Sequence, residues 1–554
     1  MRRVMHVAEE MIKQFVRRSA MNDKALIPVM IGVTGHRGIR RQDEPAIRAA
    51  VKSELEKLQT ICPHSPLVML SSLAEGGDLL CADVAEELGI PLIAALPRER
   101  TDYERDFSDE AKLRFSHHCS RSEEVFVTPP TEAVPDGGPG RDYQFRQAGI
   151  YVAAHSHILL ALWDGGPGTE AACGTAEAVD FALNRSYTPE SGMPLRSGTD
   201  EAVIHIVTPR GDRTDEAAGT VHVLGNWNAV TDVFRKTDDF NRNAGNTLPG
   251  SGSRLPSGAH DDPKLERMEM IGRVAGKLSR QYAARYRRVL ALLATASALL
   301  TFAFLMYDEA QAIWMILVCG AMLVGTWGCQ RYAARSDCHR RYIEYRALAE
   351  CMRVQTYLRY AASRVQAAEL LSWTQQTETA WILDALCALT VGEEAKTKHE
   401  IRSCWINAQK DYHREAAGRS GHKLRISDRA VLYAMLLSIL LYLAAVAFEL
   451  LCGGLIFRPQ IRISDVEVWR TVLKILLGTI SAVTLFVANF YGRLSLPRTL
   501  SDHQKMERFY TKMAAEMERC GETEALLTVL AREELTENGN WCSYQRDNKP
   551  DISL

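Results

Sequence analysis

Two apolar runs separated by five residues constrain this chain more than any other feature. Residues 289–306 and 312–329 each hold roughly 18 residues without an Asp, Glu, Lys or Arg, and the break between them reads YDEAQ. About 20 apolar residues cross a bilayer as a helix. A helix of that length packed on a soluble core keeps a charged face. Length and composition therefore predict a transmembrane hairpin, and the rest of the 554-residue chain is organised around it.

A second hairpin is expected further on. Residues 431–451 are apolar apart from Glu449 near the end, and 472–491 carry Lys474 near the start. Charges at the ends of a span can snorkel to the interface. Arg280, Arg285, Arg287 and Arg288 precede the first span, and Arg331, Arg335, Arg340 and Arg341 follow the second. Arg419, Lys423, Arg425 and Arg429 precede the third, and Arg493 and Arg498 follow the fourth. The positive-inside rule then places both ends of each hairpin, both termini and the soluble half in the cytoplasm. Segment 452–470 falls outside, although Arg458, Arg462 and Arg470 within it run against the rule. The opening stretch, 1–25, has basic residues but no long apolar core, which predicts an amphipathic helix rather than a secretory signal.

Between these limits the first half reads as alternating strand and helix. Apolar runs at 26–35, 67–73, 90–96, 158–163 and 202–207 predict strands, and 43–59, 79–88 and 176–183 predict helices. Such alternation implies a parallel sheet covered on both faces. Residues 229–243 offer Val230, Phe234 and Phe240 for docking on the sheet, and 246–263 read as a flexible linker. The soluble domain is thus expected over 26–245. Two membrane units with cytoplasmic helices follow, over 264–400 and 401–541, and then a tail over 542–554. Residues 340–389 predict a long cytoplasmic helix packing on itself or on sister chains, and 405–412 start another short helix.

Ligands of parallel sheets bind beyond the carboxyl ends of the strands. Three loops there are expected to meet at one crevice. They carry Gly35, His36 and Arg37; Ser71, Ser72, Glu75, Gly76, Gly77 and Asp78; and Trp163, Asp164, Gly165, Gly166, Gly168, Thr169, Gly174 and Thr175. Glycines and helix N-termini admit a phosphate, Arg37 supplies a charge-assisted contact, and the acidic residues can accept from ribose hydroxyls. The alternative is that the glycines only close tight turns.

Composition narrows the partners. Lys plus Arg (66) nearly balance Asp plus Glu (68), so no global charge draws the chain to nucleic acid. The 13 cysteines form no C-x-x-C pair and read as reduced thiols. His117, His118 and Cys119 form the one metal-like triplet in the sequence, and it reads as solvated helix surface, so no metal and no cofactor are expected.

The segments IGVTGHR (31–37), SSLAEGGD (71–78) and LWDGGPGTEAACGTAEAV (162–179) resemble the SLOG superfamily of Rossmann-like domains. The resemblance implies a sensor for a nucleotide-derived ligand, ADP-ribose-like or a cyclic nucleotide. Hydrolase members carry Gly-Gly-x-Gly-Thr-x-x-Glu. Here Gly165, Gly166, Gly168 and Thr169 match, but Ala172 stands at the glutamate offset. The register ending at Thr175 puts Ala178 there, with Ala171 and Ala172 in place of the glycines. Glu170 and Glu177 lie one or two places off, which on a helix is expected to turn them away from the site. Binding is favoured over hydrolysis, with a membrane-tethered N-glycosidase or phosphoribohydrolase as the alternative.

YRALAECMRVQTYLRY (345–360) and LAREELTENGNW (530–541), set beside the hairpins, are similar to the SLATT family of membrane effectors. That similarity implies a homo-oligomer that permeabilises the bacterial inner membrane, as in antiphage abortive infection. The expected fold is a Rossmann-like α/β domain followed by an all-α membrane region with four transmembrane helices and long cytoplasmic helices.

Overall fold

The computed structural model describes residues 24–129, 140–167, 174–184, 201–210, 216–249, 255, 262–309, 312–451, 465–493 and 496–547. The expected helix over 1–25 (but for its last two residues), most of the linker, Gly168, Thr169, segment 452–464 and the last residues of the tail lie outside them.

Seven strands form one sheet: β1 (Val29–Gly35), β2 (Leu67–Ser71), β3 (Leu92–Leu96), β4 (Glu124–Val127), β5 (Ile158–Trp163), β6 (Ala202–Val207) and β7 (Val221–Gly225), in the order β4-β3-β2-β1-β5-β6-β7. All pairs are parallel except β6 with β7. The central strands are buried along almost their whole length, as a sheet covered on both faces requires. Edge strands β4 and β7 are short and partly exposed, so neither has an apolar run for sequence reading to detect. Successive strands add to one side as far as β4, and then to the other side of β1 from β5 onward. The order in which strands are added reverses between β1 and β5, where an open α/β sheet forms its ligand crevice.

One face of the sheet is covered by α1 (Glu44–Ile61), α2 (Gly77–Glu87) and α3 (Asp109–Arg121). Ile47, Val51, Leu55, Leu79, Val84 and Phe115 share a buried cluster there with Val29, Ile31 and Val33 of β1. Val230 and Phe234 of α6 (Trp227–Gly245) belong to the same cluster. The other face carries α4 (Arg141–Ala154) and α5 (Thr175–Asn184) through Tyr151, Val152, Val179 and Ala182.

The described chain divides into two compact units, and the first is not a continuous segment. It takes in residues up to Leu278, then Glu344–Ile401 and Glu522–Cys542. The start of α7 (Pro263–Asp308) belongs to it. The 340–389 stretch is not one helix. It runs as α9 (Cys338–Tyr360), turns at Ala362 with φ 50°, and resumes after short helical turns as α10 (Ala380–Thr390). The stretch does pack on itself, with Tyr345 of α9 at 6.4 Å from Trp381 of α10, and α10 also sets Ala388 against the sheet cluster of Met30, Leu70 and Tyr151. Phe240 of α6 rests on Tyr345 (5.4 Å) and Trp381 (6.1 Å). The break carries neither Pro nor Gly; its local signal is the capping box that Ser372 and Gln375 form before α10.

The first turn of α7 is fastened to this unit. Lys264 Nζ donates to Glu124 Oε1 (2.7 Å) on β4 and to the Val391 carbonyl (2.7 Å). The Glu393 N–H reaches the same Glu124 oxygen (2.8 Å), and the Gly392 N–H donates to the Tyr151 hydroxyl (3.1 Å). A side chain at Gly392, whose φ is +106°, would collide with Lys264 and Glu124.

The second unit comprises Ser279–Ile343, Arg402–Gly521 and the segment from Ser543. Its helices are the remainder of α7, α8 (Met315–Ser336), α11 (Ala408–Leu451), α12 (Val466–Arg493) and α13 (Leu496–Cys520). Residue 405, expected to open a short helix, lies instead in a π-helical turn, Arg402–Asn407, that leads directly into α11. Pro263–Asp308 and Arg402–Leu451 are each long and apolar enough to cross a membrane. Leu317, Val324, Leu440 and Leu443 are among many apolar side chains left exposed here, at 75%, 68%, 62% and 61%. Gly478 of α12 sits against Leu305 of α7, and Thr484 meets Ser438 of α11 at 3.1 Å. Arg470 pairs with Glu449 at 2.7 and 2.9 Å and Lys474 with Glu309 at 2.9 Å, so two cations beside the expected outer segment are already neutralised.

Candidate functional site

Strand β1 ends at Gly35, and helix α2 begins at Gly77. A Cβ on either glycine would lie 2.9 Å from the other's Cα. Gly76 adopts φ +99°, and a Cβ there would lie 2.3 Å from the carbonyl oxygens of His36 and Arg37. The Gly77 N–H donates to the His36 carbonyl (2.9 Å), and the His36 N–H to the Leu162 carbonyl (3.0 Å). The β1 loop is thereby held between β5 and the start of α2. Only glycine allows backbones to approach this closely.

This packing leaves a cleft of about 230 Å³ at the point where the strand order reverses. Of the residues singled out from sequence, Gly35, His36, Arg37, Ser72, Asp78, Gly174 and Thr175 line it. Ser71 lies beneath, donating its hydroxyl to Asp78 (2.9 Å). Glu75 is committed elsewhere, accepting from the backbone N–H (3.2 Å) and hydroxyl (2.6 Å) of Ser108 just before α3. Gly76 and Gly77 shape the floor without lining it. Trp163, Asp164, Gly165 and Gly166 form the turn after β5, in which the Gly166 N–H closes on the Asp164 carboxylate (3.0 Å) and Gly165 adopts φ +76°.

Helix α4 supplies a wall of the cleft with Phe145, Arg146 and Gly149, and Arg210 enters after β6. The basic and aromatic residues at Arg141 and Phe145 were the available signal: four-residue spacing puts them on one helical face. The Arg37 guanidinium lies 5.1 Å from the centre of the Phe145 ring, and Arg141 covers the same ring at 5.5 Å. Glu177 reverses its expectation. Helix α5 starts at Thr175, which puts Glu177 in the first turn, and its carboxylate faces the cleft 3.2 Å from Arg146 Nε.

The charges are tuned by burial. Burial pushes the Asp78 carboxyl up to about 7, against the Ser71 hydrogen bond and the Arg37 charge, which favour ionisation. Burial likewise lowers the His36 imidazole, despite the nearby Asp164 carboxylate. His36 Nε2 lies 3.1 Å from both the Asp164 backbone N–H and the carboxylate Oδ1. One ring nitrogen cannot accept from the first and donate to the second at once. The lowered pKa favours a neutral ring accepting the N–H. Burial opposes ionisation of Asp164, but the Gly166 N–H, with the Arg210 charge, favours the carboxylate and the carboxyl is held low.

The cleft can therefore hold an anion. Arg37, Arg146 and Arg210 line it with three guanidinium groups, and α5 starts at its edge. No family model and no curated protein matches this chain.

The raised Asp78 pKa sets a pH dependence. A carboxyl with a folded pKa near 7 and an unfolded value near 4 binds its proton more tightly when folded. Its contribution is fully present below pH ~4 and is lost as pH rises towards ~7. Asp78→Asn is expected to be near neutral at pH 4.5 and increasingly stabilising up to pH 7.5, as read from thermal midpoints of the detergent-solubilised chain. An equal effect at both values would mean that Asp78 is ionised throughout.

Proposed function

We propose that this chain is a nucleotide-responsive membrane effector. Its α/β domain binds a nucleotide-derived anion, and its helical region crosses the inner membrane four times and opens it when the ligand is bound. The observation that carries the ligand class is the cleft at the β1/β5 reversal, lined by Arg37, Arg146, Arg210, the start of α5 and Phe145, with Arg37 over the Phe145 ring. The exposed apolar surface of α7, α8, α11 and α12 supports the membrane reading, since a patch of that extent is unstable in water. The Lys264 attachment gives the domain a direct hold on α7. Helix α4 takes part at both ends of this route, with Phe145 and Arg146 at the cleft and Tyr151 at the turn that holds Lys264. A ligand shifts such an assembly only if it binds the open form more tightly.

The test is dye release from vesicles containing the full chain. Adenine nucleotides, including ADP-ribose and cyclic forms, are expected to trigger release in wild type and to lose potency by more than tenfold in the Arg37→Ala, Arg146→Ala double variant. Release independent of every nucleotide, or binding without release, would overturn the gating role.

A second reading rests on Asp78 and Glu177, two carboxyls in the cleft, one with a raised pKa suited to proton donation. On that reading the domain cleaves an N-glycosidic bond. Release of free base by the wild type, lost in Glu177→Gln, would favour it over sensing.

A further inference from the structure

Away from this cleft, α2 and α3 bring three metal-binding side chains together. We propose that Glu86, His117 and His118 bind a first-row divalent transition ion, zinc being the ion this donor set suits best. One ligand atom from each lies within 4.8 Å of the other two, a grouping that is solitary among the described residues. His117 Nε2 is 2.9 Å from Glu86 Oε2, and His118 Nδ1 is 3.8 Å from the same oxygen. Ligands about 2.0–2.2 Å from a tetrahedral zinc stand roughly 3.4 Å apart, so the observed separations bracket what the ion needs.

The arrangement beyond the ligands is also that of a metal site. Asp83 Oδ1 lies 2.6 Å from His118 Nε2. Accepting that proton, it fixes the tautomer whose lone pair is on Nδ1, facing Glu86. A carboxylate behind a histidine ligand is the usual orienting device in zinc sites. Arg121 engages only the other oxygen of Glu86, Oε1, at 2.8 Å, which leaves Oε2 for the ion. A cleft of about 210 Å³, lined by Glu86, His118, Gly89 and Arg121, gives access and room for water in the remaining position. Cys119, adjacent in sequence, takes no part: it is buried in the core, and burial pushes its thiol up to about 11. The metal-like triplet of the sequence thus contributes two ligands, and the third comes from a different helix. A bound ion would staple α2 to α3.

The experiment titrates the reduced, detergent-solubilised full chain with cobalt(II), followed by competition with zinc. Binding of about one equivalent is expected, with visible ligand-field absorption but none of the near-ultraviolet charge transfer that thiolate ligands give. Glu86→Gln and His117→Ala alter exposed side chains, and each should weaken binding at least tenfold. Asp83→Asn should weaken it about 10–100-fold, as loss of an orienting partner does. Zinc should raise the thermal midpoint of wild type and not of His117→Ala. Absence of binding, thiolate absorption, or binding unchanged in both ligand variants would each overturn the site and leave an ion-paired surface cluster.

Discussion

Gly76→Ala is expected to be among the most destabilising single-methyl changes in the α/β domain. The new Cβ would lie 2.3 Å from the carbonyl oxygens of His36 and Arg37, at a φ of +99° that side-chain-bearing residues rarely adopt. Backbone strain at such a position costs about 1–3 kcal/mol. Overpacking against rigid backbone adds about 1–3 kcal/mol more. The collision also displaces Arg37, so nucleotide binding should fall together with the thermal midpoint. Gly174→Ala is the control: it lines the same cleft, but among the described residues no atom lies within 4 Å of a Cβ built there. Comparable midpoints for Gly76→Ala and wild type would show that the β1 loop is not held against α2 as described.

Leu440→Arg is expected to displace α11 from the membrane. Leu440 stands mid-way along the apolar stretch of Arg402–Leu451 and is 62% exposed. If lipid covers it, a central arginine costs about 2.5–3.5 kcal/mol on insertion scales, enough to shift most of the chain away from correct insertion. Glu449, at the end of the same helix, is paired with Arg470, so a charge there is tolerated where one at position 440 is not. The readout is the fraction of chain resistant to alkaline extraction from membranes. Unchanged extraction and unchanged vesicle leakage would indicate that α11 buries this face against protein instead.

The two predictions rest on features of different legibility. That β1, β2, β3, β5 and β6 form a parallel sheet could be read because strands buried on both faces are almost entirely apolar. The edge strands β4 and β7 could not, since four or five half-exposed residues carry no such run. The Gly-rich loops were legible as turns at strand ends, and seven of the residues they contribute line one cleft. Arg146 and Arg210 escaped because they come from a helix and a loop whose approach to the cleft depends on the order of strands, and no local pattern encodes that order. Glu177 was misplaced for a simpler reason: helical offset fixes the angle between residues, but not where the helix starts.

By itself, the sequence determined the classes of element and the apolar length of the spans, because periodicity and hydrophobicity are properties of neighbouring residues. The tertiary structure alone decided that α10 covers the sheet, and that Lys264 closes on Glu124, which is 140 residues away. It also decided that Glu86 faces His117 and His118 across two helices. Each of these depends on which surfaces remain to be buried once the sheet has formed, and that is settled by the packing of the whole unit.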